Sequence, residues 1–597
     1  MGNIRLEQLR EEMCKRGIDI YVVPSSDFHE SEYVGEYFCA REFLTGFTGS
    51  AGTAVVTRDK AGLWTDGRYF IQAAAQLAGS GFDLYRMGEE GVPAIPDFLE
   101  AELPEGGVLG FDGRVVSGAL AETFQKAADD RHGSLYVTED LTDRIWTDRP
   151  AIACTPLWIL TEEYSGESAV SRLGRIRERM AEEKADVHIL SSLCDIAWIL
   201  NLRADDIEHV PVFLSFLFIF KEKAVLFVQP DAVGDEAAAY LKNCGVEVDS
   251  YWSVYDAAAR LPEDTSVLMN RKMVNYRLIS SLSKGVTIID REDPSELMKA
   301  VKNETELRNT RQAHLKDGVA MTKFMYWLKT NVGRIPMDEY TVGCYLDNLR
   351  RKQENFLDLS FEDICAYGPN AAMMHCAATA EQKAQIWPEG MLLVDSGGHY
   401  LEGTTDITRT FILGPVTPEM KRHFTAVVRC NLALANLRFL YGCGGISMDV
   451  VCREPLWELG LDYKCGTGHG VGHILNVHEG PNGFRYRIVP ERKDSGVLEA
   501  GMITTDEPGV YLEGEYGIRI ENELICVKDE KNEYGQFMRF EPVTWCPIDL
   551  DGIEPELMNE KEKRWLNEYH AMVWEKISPY LTEEERDWLK VYTREII

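Results

Sequence analysis

The stretch VDSGGHYLEGTTDITRTF, Val394 to Phe411, places two aspartates eleven residues apart. Leu392 and Val394 alternate with Leu393 and Asp395. Beyond a turn near Leu401-Glu402-Gly403, residues Asp406, Thr408 and Thr410 alternate with Ile407, Arg409 and Phe411. A period of two is that of a strand, so the stretch predicts a hairpin with a carboxylate on each arm. If Asp395 and Asp406 share a face, each anion raises the other's pKa. Either the pair is solvated and incidental, or a cation holds it.

The chain has 597 residues, too many for one core, which predicts roughly two to four domains. With 45% hydrophobic and 27% charged residues it reads as a soluble globular protein. Its net charge of −34, from 63 basic and 97 acidic residues, argues against nucleic acid as a partner. The N-terminal MGNIRLEQLREEMCKRG has no apolar signal core, and Leu6 stands where a myristoylation signal needs a hydroxyl residue. The most apolar run, VPVFLSFLFIF from Val210 to Phe220, is about half a membrane span and reads as a buried strand. No membrane partner is expected. Fourteen scattered cysteines without a CxxC motif suit reduced thiols, so a cytoplasmic location is expected.

A weak internal repeat organises the first half. RLEQLREEMCKRGIDIYVVPSSD begins at Arg5 and RLGRIRERMAEEKADVHILSS at Arg172. In each, an amphipathic helix is followed, thirteen residues after its Leu6 or Leu173, by Asp19 or Asp186, a β-rich run and two serines. Both copies predict the start of an α/β domain. The stretch TDRPAIACTPLWIL, Thr147 to Leu160, reads as a linker, and a second seam lies between Asp290 and His314, where a charged helix starts at a proline. The expected domains are residues 1–155, 156–300 and 301–597, the last ending in a polar helical tail from about Pro555.

Three further segments accompany the opening hairpin: KCGTGHGVGHILNVHEGP from Lys464, TTDEPGVYLEGEYGIRIENELICV from Thr504, and AYGPNAAMMHCAAT from Ala366. They supply Glu507 before a Pro-Gly turn, Glu521 on a strand with Arg519, and His469 among glycines. Four carboxylates in one pocket repel unless neutralised, and two divalent cations balance four negative charges. An oxygen-rich donor set with one imidazole favours Mn2+ or similar ions over thiolate-seeking metals.

These segments resemble the five-ligand signature of the pita-bread metallopeptidases, and the whole chain resembles the long, three-domain form of the aminopeptidase P family. The resemblance implies two creatinase-like N-terminal α/β domains followed by a pita-bread α+β catalytic domain, with a homodimer as the assembly. It further implies that Asp395, Asp406, His469, Glu507 and Glu521 hold two divalent metal ions, Asp406 and Glu521 bridging them. His375 and His478 match histidines that contact substrate and stabilise the tetrahedral intermediate, and Arg519 matches an arginine that orients the carboxylates. The implied reaction is hydrolysis of the bond before a proline at position two of a peptide, by a hydroxide shared between the ions. Glu507 is the candidate proton shuttle to the leaving nitrogen.

One position departs from the family pattern. Cys465 stands four residues before His469 where the family often has histidine. A thiol carries no imidazolium-like charge at neutral pH, so an altered rate or pH dependence is expected, and a reactive thiol beside the site is a second expectation. Other residues have blander readings. His473 is expected to be structural or to line the pocket edge, His399 to be exposed near its turn, and the TDGRY segment to be a hairpin turn. Arg519 could instead pair with Glu523. Two alternatives stand against the leading function: a prolidase limited to Xaa-Pro dipeptides, and a non-catalytic peptide-binding scaffold, which the presence of all five ligand positions disfavours.

Overall fold

The computed structural model describes residues 3–373, 377–489 and 494–597. The chain divides into two compact units, Met1–Thr161 with Glu167–Ser295 and Glu162–Gly166 with Glu296–Ile597.

In the first unit, helix α1 (Ile4–Arg16) starts at Asn3, whose side chain accepts from the Arg5 and Leu6 amides. It ends at Gly17, whose left-handed φ of 70° closes the last turn. Its buried face is Leu6, Leu9 and Met13. The second copy, α2 (Ala169–Glu182), is capped by Ser168 and buries Leu173, Ile176 and Met180. Each helix leads into the first strand of a six-stranded sheet. The first sheet comprises β1 (Ile20–Pro24), β2 (Thr53–Thr57), β3 (Ala61–Thr65), β4 (Asp83–Arg86), β5 (Val108–Gly110) and β6 (Ser134–Tyr136), in the order β4-β3-β2-β1-β5-β6. The second comprises β7 (Val187–Leu190), β8 (Ser215–Phe220), β9 (Ala224–Val228), β10 (Val246–Ser250), β11 (Ser266–Met269) and β12 (Thr287–Asp290), in the order β10-β9-β8-β7-β11-β12. In both sheets the first strand pairs antiparallel with the second and parallel with the fifth. The repeat read from the helices therefore extends through two whole sheets. Strand β8 is the FLFIF run, an interior strand covered on both faces.

In the second unit, strands β13 (Ile364–Tyr367), β14 (Met391–Ser396) and β15 (Ile407–Ile412) form one antiparallel sheet. A six-stranded antiparallel sheet contains β16 (Arg438–Leu440), β17 (Gly468–Gly470), β18 (Glu479–Phe484), β19 (Ile503–Asp506), β20 (Asn522–Asn532) and β21 (Gly535–Pro542), in the order β16-β21-β20-β19-β17-β18. Helices α3 (Glu304–Asn331), α4 (Pro418–Ala435), α5 (Gly445–Trp457) and α6 (Glu560–Ile577) accompany them. Phe424 and Val427 of α4 join Leu524 and Cys526 of β20 and Leu566 and Val573 of α6 in one buried cluster. The C-terminal helices are thus more than the polar tail expected. Their apolar stripe is core.

Every described cysteine is a free thiol. Among the described residues no helix is long and apolar enough to cross a membrane.

Two buried histidines give the first unit a pH signature. Burial lowers both His29 and His188 to about 4. The unfolded chain takes up these protons near pH 6.5, whereas the folded chain resists until about 4. Their contribution is therefore present above pH 6.5 and lost as pH falls, by about 1.4 kcal/mol per histidine per pH unit at most. Thermal melts should show the first unit losing stability between pH 6.5 and 4.5, and a His188→Phe variant should show a shallower loss.

Candidate metal centre

Strand pairing brings the opening motif together. Asp395 on β14 lies opposite Thr408 on β15, and Ser396 lies opposite Ile407, so Asp406 faces the position two residues beyond Asp395. Positions two apart share a face of the sheet. The intervening residues fold out as a small hairpin, Gly398–Tyr400 with Gly403–Thr404, turning where the sequence predicted. Gly397 permits this departure, because a Cβ there would lie 1.9 Å from the Thr405 carbonyl oxygen.

His469 sits on β17 between two glycines. A Cβ on Gly468 would lie 1.9 Å from the Thr505 carbonyl oxygen, so glycine lets the histidine strand approach β19. The His469 amide donates to Thr505 Oγ1 at 3.0 Å. Its Nδ1 lies 2.8 Å from the Gly470 carbonyl, which can only accept, so Nδ1 donates there and Nε2 is the nitrogen turned toward the carboxylates. Nε2 lies 3.4 Å from Asp406 Oδ2 and 3.4 Å from Glu507 Oε1. One ligand atom each from Asp406, His469 and Glu521 lie within 4.8 Å of one another.

Asp395 is held from the other side. Arg519, 3% exposed, donates to Asp395 Oδ2 through one terminal nitrogen, to the Tyr511 hydroxyl (2.7 Å) through the other, and to Thr408 Oγ1 (3.1 Å) through Nε. Thr408 in turn donates to Glu521 Oε2 at 2.7 Å. Thr505 Oγ1 donates to Glu507 Oε1 at 3.1 Å. The His478 ring stands edge-on to His469, centroids 4.3 Å apart. Of the eight residues singled out from sequence, seven are described and gathered by these links. His375 lies outside the described residues.

The electrostatics follow from this crowding. Burial, then the charges of Asp395, Glu507 and Glu523, hold Asp406 well above the usual carboxylate range. Glu521 is raised likewise by burial, then by Asp406, Glu507 and Asp395. Asp395 Oδ1 is buried without a hydrogen-bond partner among the described residues. A buried acceptor left in this way, amid mutually repelling oxygens, fits a cation as its partner.

Family profiles match the whole chain: Creatinase/Prolidase N-terminal domain at residues 5–145 and again at 148–306, Metallopeptidase family M24 at 308–528, and the C-terminal region of peptidase M24 at 536–596. A probable Xaa-Pro aminopeptidase P of Coprinopsis cinerea is 38% identical over 99% of this chain and 98% of its own. The chain belongs to the Xaa-Pro aminopeptidase P family. It is therefore a hydrolase of the M24 metallopeptidases. Arabidopsis thaliana aminopeptidase P1 is 35% identical, covering 99% of both chains. The crystal structure of an X-prolyl aminopeptidase from Caenorhabditis elegans superposes with a TM-score of 0.94 at 32% identity over 99% of both chains. That protein is described as a cytosolic enzyme with a di-nuclear active site. The pita-bread catalytic unit and creatinase-like modules expected from sequence are those of this family.

Several expectations need correction. His399 is not exposed: it is 1% accessible, with Nδ1 2.9 Å from Thr404 Oγ1, because the small hairpin packs inward. Arg519 does not pair with Glu523. Glu523 instead lies 3.0 Å from His314 of α3 and accepts from the Asp406 amide at 2.7 Å. Burial, then the Glu507 charge, pushes the Cys465 thiol up to about 11, which disfavours its thiolate form. His473 is structural as expected, buried with its ring nitrogens near Thr310 Oγ1 and the Tyr164 carbonyl. TDGRY forms a turn, Tyr69 amide to Asp66 carbonyl, that opens a helix at Phe70 instead of a hairpin.

Thr408, Thr505, His314 and Glu523 were missed. Thr408 alternates in phase with Asp406 and was readable as a same-face neighbour. His314, far along the chain on α3, carried no local signal.

Raised carboxylates make a testable pH signature. In the fold Asp406 and Glu521 keep protons that the unfolded chain releases near pH 4, so their contribution to metal-free stability is lost as pH rises through their folded values. A cation reverses this by favouring the ionised form. The melting temperature of chelator-treated protein should fall from pH 5 to pH 8, while the rise on adding Mn2+ should grow over that range. Asp406→Asn with Glu521→Gln should flatten both trends.

Proposed function

We propose that the protein hydrolyses the bond between an N-terminal residue and proline in peptides with proline second, using two divalent ions, Mn2+ by preference. The ligands in this reading are Asp395, Asp406, His469, Glu507 and Glu521. The observation that carries it is the convergence of Asp406, His469 and Glu521 on one point, with the two carboxylates forced toward protonation until a cation is supplied. Asp395, Asp406, His469, Glu507 and Glu521 would hold the ions, which when bound would make a water nucleophilic near neutral pH and polarise the scissile carbonyl.

The chain's own groups do the rest. The Nδ1–H···O bond to Gly470 aims His469 Nε2 at the carboxylates, and Arg519 fixes Asp395 at the far end of the cluster. Glu507, held by Thr505, takes up the nucleophile's proton and returns it to the proline nitrogen as it leaves. His478, beside His469, donates to the oxyanion, a role shared with His375 by family resemblance. The acidic cluster near Asp395 receives the substrate's ammonium group. Proline's fixed φ and missing N–H let a shaped pocket select it.

The three-domain division at about residues 155 and 300 and a homodimeric assembly belong to the same reading, as does a cytoplasmic location, which the likeness to the cytosolic C. elegans enzyme supports. Mn2+-dependent release of the first residue from an Xaa-Pro-Yaa tripeptide is the decisive measurement. Asp406→Ala should lower kcat about 1,000-fold. Equal turnover by the variant would remove the mechanism, and cleavage of Xaa-Pro dipeptides alone would replace the reading with a prolidase.

A further inference from the structure

Behind the acidic cluster lies a guanidinium that pairs with no carboxylate among the described residues. Arg409 on β15 is completely buried. Its acceptors are all neutral: the carbonyls of Thr408 (2.9 Å), Glu521 (2.5 Å), Cys546 (2.9 Å) and Pro547 (3.2 Å), the Asn522 amide oxygen (2.8 Å) and the Tyr569 hydroxyl (2.7 Å). Thr408 and Glu521 are also joined directly, the Glu521 amide donating to the Thr408 carbonyl. Asn522 passes the link onward: its amide donates to Asn431 Oδ1 at 3.2 Å, and Asn431 of α4 donates to the Asp506 carbonyl at 2.8 Å. Asp506 immediately precedes Glu507. One cation thus ties the main chain at Glu521 directly, and the main chain beside Glu507 through two asparagines.

Tyr569 belongs to α6, within the region matched by the separate C-terminal profile. Its hydroxyl accepts from Arg409 and has the carbonyls of Thr544 (2.9 Å) and Cys546 (2.8 Å) as acceptors for its own proton. The phenol is therefore the member of the network that the C-terminal helix contributes. Leaving a buried charged donor without one acceptor is costly, so the arginine would shift or admit water if the hydroxyl were lost. A shift there moves Glu521 and Asn522 together.

We propose that Arg409 and Tyr569 are positioning residues of the metal centre, through which the C-terminal helix sets the spacing of the Glu521 and Glu507 strands. This inference rests on the reading that Glu507 and Glu521 bind metal. It gives the C-terminal region a task in catalysis although that region supplies no proposed ligand.

The test uses the full-length protein, stripped with a chelator and titrated with Mn2+ by calorimetry, alongside peptide kinetics. Tyr569→Phe removes one oxygen and keeps the ring in place. It should weaken Mn2+ affinity about 10-fold and lower kcat by a similar factor, with KM for the peptide unchanged. Asn522→Ala, which cuts the same chain away from α6, should weaken Mn2+ binding in the same direction. Val573→Ala, a cavity mutation in the buried face of the same helix, should lower the melting temperature yet leave Mn2+ affinity as in wild type. Wild-type affinity in Tyr569→Phe would overturn the inference, as would an equal loss in Val573→Ala, which would mean that the helix acts only through overall stability. Failure of the wild-type protein to take up Mn2+ would overturn the ligand assignment and this inference with it.

Discussion

Repulsion among buried carboxylates is the constraint around which the catalytic unit is organised. Two unit charges about 4 Å apart at an effective dielectric of 20 interact by roughly 4 kcal/mol, a large share of a domain's net stability. Burial, and then the charges of their acidic neighbours, drives Asp406 and Glu521 toward their protonated forms. Such a cluster persists only if its backbone cannot relax outward. Each acidic residue accordingly lies in or at the end of a paired strand, and each is tied by a neighbouring side chain or main-chain group.

Three buried guanidiniums surround this cluster, each used differently. Arg519 pairs directly with Asp395 and fixes its direction. Arg350 is bound to Asp317 (2.6 Å) and donates to Ser396 (2.9 Å), so it braces the strand next to Asp395 and brings no unpaired charge. Arg409 meets only neutral acceptors and leaves its charge uncompensated behind Glu521. Arginine suits all three places because it spreads five donors over a fixed planar fork, whereas an ammonium offers three from a single point.

The first unit shows how much a local pattern can reveal. Leu6 and Leu173 were legible as equivalent positions, and both are buried on helices that feed the first strand of matching sheets. Periodicity sufficed there because helix and strand are adjacent in sequence. The hairpin of Asp395 and Asp406 was legible for the same reason. His399 was misread because the smaller hairpin leaves the main sheet and packs inward, a path that alternation does not encode. The polar C-terminal helices were misjudged because their charge is on the outward face, and the stripe of Leu566, Tyr569 and Val573 is interrupted by it.

By itself the sequence determined which residue types are available to hold cations, the strand phase that aligns Asp395 with Asp406, and the duplication of the N-terminal fold. These depend on spacing over a few residues and on the chemistry of each side chain. Only the tertiary structure decided that Asp406, His469 and Glu521 meet at one point, that Arg519 turns to Asp395 and away from Glu523, and that Tyr569 reaches Arg409 across 160 positions. Such pairings are selected by how strands and helices pack, where burial makes every unmet charge or hydrogen bond expensive, and no short stretch of chain carries that information.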